Sequence, residues 1–123
     1  MTGISGRSLR TFLAACLCLT GGAAVAACPG QTQMELNQCA ANEYGRADAA
    51  LNAAWGPTKA FADGIGVGAQ LLDAQRKWIA FRDAACLAEA DQFAGGSIRP
   101  LVWYSCLTRL TQRRTEDLLN MRY

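Results

Sequence analysis

The chain has 123 residues, which fits one small domain, and it contains no histidine, the commonest general base and metal ligand in proteins. Two of its twelve basic residues, Arg7 and Arg10, lie in an N-terminal leader, so the rest of the chain carries ten basic and ten acidic residues. A neutral domain without a basic run lacks the electrostatic features of nucleic-acid and anionic-membrane binders, and we expect no nucleic-acid partner.

Residues 1–27 are predicted to be a secretory signal peptide. Two arginines precede an apolar run from Phe12 to Leu19, and small residues follow it. This run is shorter than the roughly 20 residues that cross a bilayer, and no later segment is longer, so we expect no transmembrane segment. The sequence therefore predicts a periplasmic or secreted protein whose single folded domain spans residues 28–123.

The cysteines bear on how the leader is removed. Cleavage is expected after Ala26 or just before Cys28, and the second site resembles a bacterial lipoprotein box that would attach a lipid anchor to Cys28. Four cysteines remain after cleavage, Cys28, Cys39, Cys86 and Cys106, an even set for an oxidising compartment. Because acylation of Cys28 would leave one of the others unpaired, we favour the free form.

The first helix is predicted to begin at a capping box. Thr32 and Glu35 have the required spacing, in which each side chain bonds the backbone N–H of the other residue. Gly56-Pro57 is expected to end the helix, since glycine suits the C-terminal cap and proline does not extend it. A glycine-rich segment follows, with at most a short extra helix before Gly68.

Two more helices follow, so the predicted fold is an all-α, disulfide-bonded bundle of three long helices. Residues 69–93 contain no glycine or proline and are rich in helix-forming residues, which predicts the longest helix. Gly95-Gly96 should break it. A last helix is predicted to run to about residue 121, with Ser97 as its cap and Pro100 in its first turn.

The second helix has an apolar side with polar residues near its centre. On a helical projection, the apolar half comprises Leu71, Leu72, Ala74, Trp78, Ile79, Phe81, Ala85, Cys86 and Phe93. Gln75, Arg82 and Glu89, seven residues apart in turn, fall within this half. A buried guanidinium needs a carboxylate, and Asp48 on the first helix is the expected partner. The pattern predicts a buried polar network of these four residues that fixes helix register; the alternative is a polar pocket that receives a partner or ligand.

The same projections favour one pairing of the cysteines. Cys86 faces inward, and Cys106 shares an arc with apolar residues of the last helix, so these two should clamp the helices on either side of the Gly95-Gly96 turn. Cys39 lies off the core face, which suits a local bond to Cys28. Each disulfide should stabilise the domain by about 2–4 kcal/mol. The spacing of paired cysteines in zinc sites is missing, and we expect no metal or other cofactor.

Four blocks of sequence occur together in a pattern typical of one family. They are Gln33, Glu35, Asn37, Cys39 and Ala40; residues 47–52; Ala74, Gln75, Arg76 and Trp78 with Phe81, Arg82, Asp83 and Cys86; and residues 95–97 with Cys106, Leu107, Arg109, Leu110 and Thr111. With these blocks, residues 28–123 resemble the LprI-like lysozyme inhibitor family over nearly their whole length. The resemblance implies a helical, disulfide-bonded, exported bacterial domain that inhibits lysozyme. The glycine-rich segment before Gly68 departs from the family pattern.

An inhibitor is favoured over an enzyme because no side chain stands out as a nucleophile or base. Lysozyme carries two carboxylates in its cleft, so a blocking loop should offer it a cation or hydroxyl donors. The turn after Gly95 has this content in Ser97 and Arg99, our candidate partner-binding loop, although the same residues also suit a plain helix connection. The alternative function is a non-catalytic periplasmic module that binds another cell-envelope protein.

Overall fold

Residues 28–122 are described by the structure, a computed structural model, and form three helices. These are α1 (Gln33–Gly64), α2 (Gly68–Asp91) and α3 (Arg99–Asn120). This part of the chain contains no strand, which confirms the predicted all-α bundle. None of its helices is long and apolar enough to span a membrane. The predicted signal peptide and its cleavage site lie outside the described residues.

Helix α1 begins at the predicted capping box. The Thr32 hydroxyl accepts a hydrogen bond from the backbone N–H of Glu35 at 3.2 Å, and the Glu35 carboxylate accepts from the backbone N–H groups of Thr32 and Gln31 at 3.0 and 2.9 Å. These bonds to the ionised carboxylate lower the pKa of Glu35. The start of the helix is therefore set by local sequence, as predicted.

The predicted end of α1 at Gly56-Pro57 is wrong, because the helix continues through the proline to Gly64. Gly56 has no Cβ to clash with the proline ring, which removes part of the usual barrier to a helix before proline. The next residue, Thr58, is fully buried, and its hydroxyl donates to the backbone carbonyl of Leu118 on α3 at 3.1 Å. Ala62 is also fully buried one turn later. Packing against α3 thus extends α1 past a local stop signal.

The connection between α2 and α3, which we call the α2–α3 loop, comprises residues 92–98. Gly95 lies within it at φ +80°, a conformation that favours glycine. Pro100 is in the first turn of α3 as predicted. Ser97 is not the cap of that helix, because the cap position falls on Ile98 and no side chain caps it. The backbone carbonyl of Ser97 instead accepts a hydrogen bond from the Asn37 side chain at 3.0 Å.

The helix order follows from contacts that recur along the bundle. Asn37 meets Ser97, the Tyr44 ring lies 6.2 Å from that of Tyr104, and Thr58 bonds Leu118, so α1 and α3 run parallel at a constant offset of 60 residues. Helix α2 runs antiparallel to both. The structure thereby places the N-terminal end of α1 beside the α2–α3 loop.

Both disulfides form with the predicted pairing. Cys28 and Cys39 make the first, the N-terminal disulfide, and Cys86 and Cys106 make the second, the core disulfide. Both cysteines of the core disulfide are fully buried, whereas both cysteines of the N-terminal disulfide are half-buried. The Cys28 sulfur is also the atom that a lipid anchor would modify, and the free form of the protein stays a prediction.

The core consists of two apolar clusters with polar residues between them. The first cluster comprises Leu51, Ala54, Ala62, Leu71 and Leu118, and the second comprises Cys86, Cys106 and Leu107 with Tyr44, Trp103, Tyr104 and Leu110 packed around it. Gln75, Arg82 and Thr111 are buried along α2 and α3 between the two clusters. We call these three residues the polar layer.

The predicted apolar half of α2 is only partly correct. Leu71 and Cys86 are buried, but Phe81 is 61% exposed, and Ile79 and Phe93 are also exposed. The buried residues follow a narrower line through Gln75 and Arg82, which are seven residues apart with the half-buried Trp78 between them. Gln75 and Arg82 lie at the centre of the predicted face, as expected, but that face was too wide, since Ile79 and Phe81 towards its edges are exposed.

Candidate functional site

Arg82 is the central residue of the polar layer and is 8% exposed. Its Nε and Nη2 atoms bond Oδ1 of Asp83 at 2.9 and 2.8 Å, and Nη1 donates to the Thr111 hydroxyl at 3.5 Å. The guanidinium carbon lies 5.1 Å from the centre of the Trp78 ring and 5.7 Å from that of Tyr44. Arg82 therefore joins all three helices through charge, a hydrogen bond and aromatic contacts.

The predicted partner of Arg82 is wrong. Its carboxylate is that of the next residue, Asp83, and not that of Asp48. Asp48 is half-buried on α1, where it accepts a hydrogen bond from the Asn52 side chain at 3.3 Å. Burial raises the pKa of the nearby Tyr44 hydroxyl, and the positive charge of Arg82 opposes this shift. The aromatic ring beside Arg82 is thus a neutral phenol at physiological pH.

The other two predicted members of the network are in different surroundings. Gln75 is buried, and its side-chain oxygen accepts from Nε of Arg114 at 2.9 Å, so it does link α2 to α3. Arg114 also lies over the Trp78 ring, at 5.9 Å. Glu89 is partly exposed and pairs with Arg109 at 2.5 Å. The four residues therefore do not form one network; Gln75 and Arg82 belong to the polar layer, whereas Asp48 and Glu89 lie outside it.

Three partners in this region were not predicted: Asp83, Thr111 and Arg114. Arg114 is one of two adjacent arginines, and its spacing of seven and four residues from Leu107 and Leu118 places it, rather than its neighbour, on their side of α3. Thr111 could have been found, because it shares an arc of α3 with the buried Leu107 and Leu118. Arg82 bonds Thr111, and Arg114 bonds Gln75, so each buried polar side chain of the layer has a partner on the neighbouring helix, which favours the interpretation that they fix helix register.

The α2–α3 loop is the second candidate site, and all seven of its residues are exposed. It is fixed at three points. The core disulfide joins the flanking helices, the Asn37 side chain bonds the Ser97 carbonyl, and Arg99 bonds Oδ1 of Asp91 through Nε and Nη2 at 2.9 and 2.7 Å. Hydrogen bonds from Gly96 to Phe93 and from Arg99 to Gly96 shape the turn itself. The loop is therefore both exposed and held in one conformation.

Apolar side chains surround the two polar residues predicted in this loop. Ser97 is exposed, and Arg99 is half-buried at its C-terminal edge. Phe93 and Ile98 expose about two-fifths of their surface, and Met34, one turn before Asn37 on α1, is 78% exposed. Within residues 28–122, no group of three or more cysteines or carboxylates is arranged to hold a metal ion. The arrangement is suited to contact with another macromolecule.

Comparison with known proteins gives the same family as the sequence blocks. A family model described as Lysozyme inhibitor LprI matches residues 25–118. An uncharacterized protein of Rhizobium meliloti (strain 1021) is 36% identical over 99 residues, which cover 71% of each chain. No solved structure matches the chain significantly. Because the family model covers most of its length, the chain belongs to the LprI lysozyme inhibitor family.

Proposed function

We propose that this protein is an exported inhibitor that binds lysozyme and blocks its cleft with the α2–α3 loop. Family membership supports the activity. The observation that supports the choice of surface is that seven exposed residues are held by a disulfide, an ion pair and a side-chain hydrogen bond. A loop already fixed in its bound conformation loses little conformational entropy on association, which favours tight binding.

The chemistry of the loop fits a cleft that contains two carboxylates. The Ser97 hydroxyl is a hydrogen-bond donor, and Nη1 of Arg99 takes no part in the bonds to Asp91 and keeps its N–H groups for a partner. Asp91 offsets part of the positive charge of Arg99, but it also holds the guanidinium in place. We therefore expect Arg99 to act by directed hydrogen bonds more than by net charge.

The loop alone is too small for a stable interface, which buries about 800 Å² on each partner. The exposed apolar side chains of Phe93, Ile98 and Met34 provide additional area around it. Leu87 on α2 is also exposed on the side where α2 meets the first turns of α3. Together these residues form an apolar border to the two polar donors, as in interfaces whose energetic centre is a few residues shielded from water.

Inhibition assays test the activity and the surface separately. The disulfide-intact protein, residues 28–123, should inhibit at least one of the chicken-type, goose-type and invertebrate-type lysozymes. The variant Arg99→Ala should weaken inhibition by about tenfold, which corresponds to about 1.4 kcal/mol. Arg109→Ala is the matched control. Arg109 also lies on α3 and pairs with a carboxylate on α2, but it is about 15 Å further along the helix than Arg99.

The possible outcomes have different meanings. If none of the three lysozymes is inhibited, the proposed function is wrong, and binding to another envelope protein becomes the better hypothesis. If the parent inhibits and Arg99→Ala inhibits equally well, the function stands and the loop assignment is wrong. Mass spectrometry of the exported protein tests the free form, since an acyl group on Cys28 adds a mass that the disulfide does not.

A further inference from the structure

A pocket beside the α2–α3 loop is lined by aromatic side chains and one arginine. Leu87 on α2 forms one side, and Arg99, Pro100, Trp103 and Tyr104 on α3 form the other. Its volume is about 290 Å³. This is near the lower limit of about 300 Å³ for small-molecule sites. The pocket has room for a ring-sized group and is open to solvent, so a longer molecule could extend out of it.

Arg99 lines the pocket and forms an ion pair with Asp91 beside it, and we call this pair the polar edge. Nε and Nη2 of Arg99 both bond Oδ1 of Asp91. Within the described part of the chain, Nη1 of Arg99 and Oδ2 of Asp91 make no hydrogen bond. The two side chains are also partly exposed, at 37% and 50%. A ligand at this edge therefore meets an N–H donor and a carboxylate acceptor in a fixed arrangement.

We propose that this pocket binds a neutral saccharide. The C–H groups of a pyranose ring would pack against Trp103 and Tyr104, and adjacent hydroxyls would bond Arg99 and Asp91. A hydroxyl both donates and accepts, so a pair of them matches a donor beside an acceptor. This inference does not rest on the proposed lysozyme inhibition.

Other ligand classes fit the pocket less well. A phosphate or another anion would gain little binding free energy here. The carboxylate of Asp91 lies 2.7 Å from Nη2 of Arg99 and offsets its positive charge. A wholly apolar ligand would cover the half-exposed ion pair and remove its water without replacing the lost hydrogen bonds, which costs free energy. A saccharide covers the aromatic surface and replaces those hydrogen bonds at once.

Nuclear magnetic resonance titration tests this proposal without lysozyme present. The probes are trisaccharides of glucose and of N-acetylglucosamine at millimolar concentration, added to the disulfide-intact protein. The indole N–H signal of Trp103 should shift with at least one of them, whereas that of Trp55 should not, because Trp55 packs against the other core cluster. The absence of any shift with both saccharides would overturn the proposal, as would tighter binding of glucose 6-phosphate than of glucose.

Two variants with a matched control test the assignment of residues. Asp91→Asn should weaken saccharide binding at least tenfold, since it removes the charged acceptor and loosens Arg99. Asp73→Asn is the control, because Asp73 forms an exposed pair with Lys77 on the same helix, also at 2.7 Å. Trp103→Leu should abolish binding. If Asp91→Asn binds as well as Asp73→Asn, the proposed polar edge is refuted.

Discussion

Replacement of Arg82 by alanine tests whether the polar layer holds the three helices in register. The substitution removes the guanidinium from between Trp78 and Tyr44 and from the hydroxyl of Thr111. Asp83, the ion-pair partner, is 51% exposed, so water solvates its carboxylate in the variant. Breaking a fully buried ion pair costs about 3–5 kcal/mol of stability. Because Asp83 is exposed, the loss of unfolding free energy for Arg82→Ala should lie near or below the lower end of that range.

The remaining contacts give the expected magnitude. Each aromatic contact of a partly desolvated guanidinium is worth about 0.5–2 kcal/mol. Loss of the long hydrogen bond to the buried Thr111 adds about 1 kcal/mol or less. The free energy of unfolding should thus fall by about 2–4 kcal/mol, and the melting temperature of a domain of this size should fall by about 10–25 °C.

Urea unfolding with both disulfides intact measures this change. The unfolding midpoint should decrease while the slope against urea stays the same. Arg76→Ala is the control, since Arg76 is an exposed arginine of the same helix, and its loss should change stability by no more than about 0.5 kcal/mol. If Arg82→Ala unfolds at the same urea concentration as the parent, the register hypothesis is wrong. Loss of lysozyme binding by such a stable variant would identify the polar layer as a binding site instead.

Three further predictions each test a different kind of bond: a buried hydrogen bond, a disulfide and a helix cap. Thr58→Val keeps the side-chain shape but leaves the carbonyl of Leu118 without its donor, so urea unfolding should show a loss of about 1–3 kcal/mol. Thr108→Val, which removes a buried hydroxyl that has no hydrogen-bond partner among residues 28–122, should cost less; an equal cost would contradict the role given to the bond. The N-terminal disulfide should be reduced before the core disulfide, because its cysteines are half-buried and those of the core disulfide are fully buried. Reduction at increasing dithiol concentration, followed by alkylation and peptide mapping, should show this order. Simultaneous reduction of the two bonds would count against it. The two backbone amides that lower the pKa of Glu35 stabilise the capping box above the ordinary glutamate pKa, and this stabilisation should be lost as the pH falls through the lowered value. A carbon NMR titration of the Glu35 carboxyl measures that pKa, and an ordinary value would argue against the capping bonds.

Sequence rules located the start of α1, which depends on local bonds, and missed its end, which depends on tertiary contact. The capping box at Thr32 involves only residues within four positions, so the start of α1 could be predicted. Its end could not, because the contact between Thr58 and Leu118 joins residues 60 positions apart. A proline that stops an isolated helix is tolerated when the next turn is buried against another element.

The candidate site shows a similar limit. A helical projection correctly buried Gln75 and Arg82, because their seven-residue spacing is a property of α2 alone. It did not identify their partners, which depend on how α3 is placed. Asp83 was overlooked because neighbouring residues on a helix point in different directions. The long side chain of Arg82 overcomes this by folding back to reach the carboxylate beside it.

The connectivity of the disulfides has a consequence for oxidative folding. Cys28 pairs with Cys39, and Cys86 pairs with Cys106, so each bond joins a cysteine to the next one in the folded domain and the two loops do not overlap. A chain that enters an oxidising compartment N-terminus first presents the first pair before the second. Oxidation of each cysteine with the next to emerge then yields the native bonds, and a thiol oxidase suffices without the slow reshuffling that disulfide isomerases catalyse.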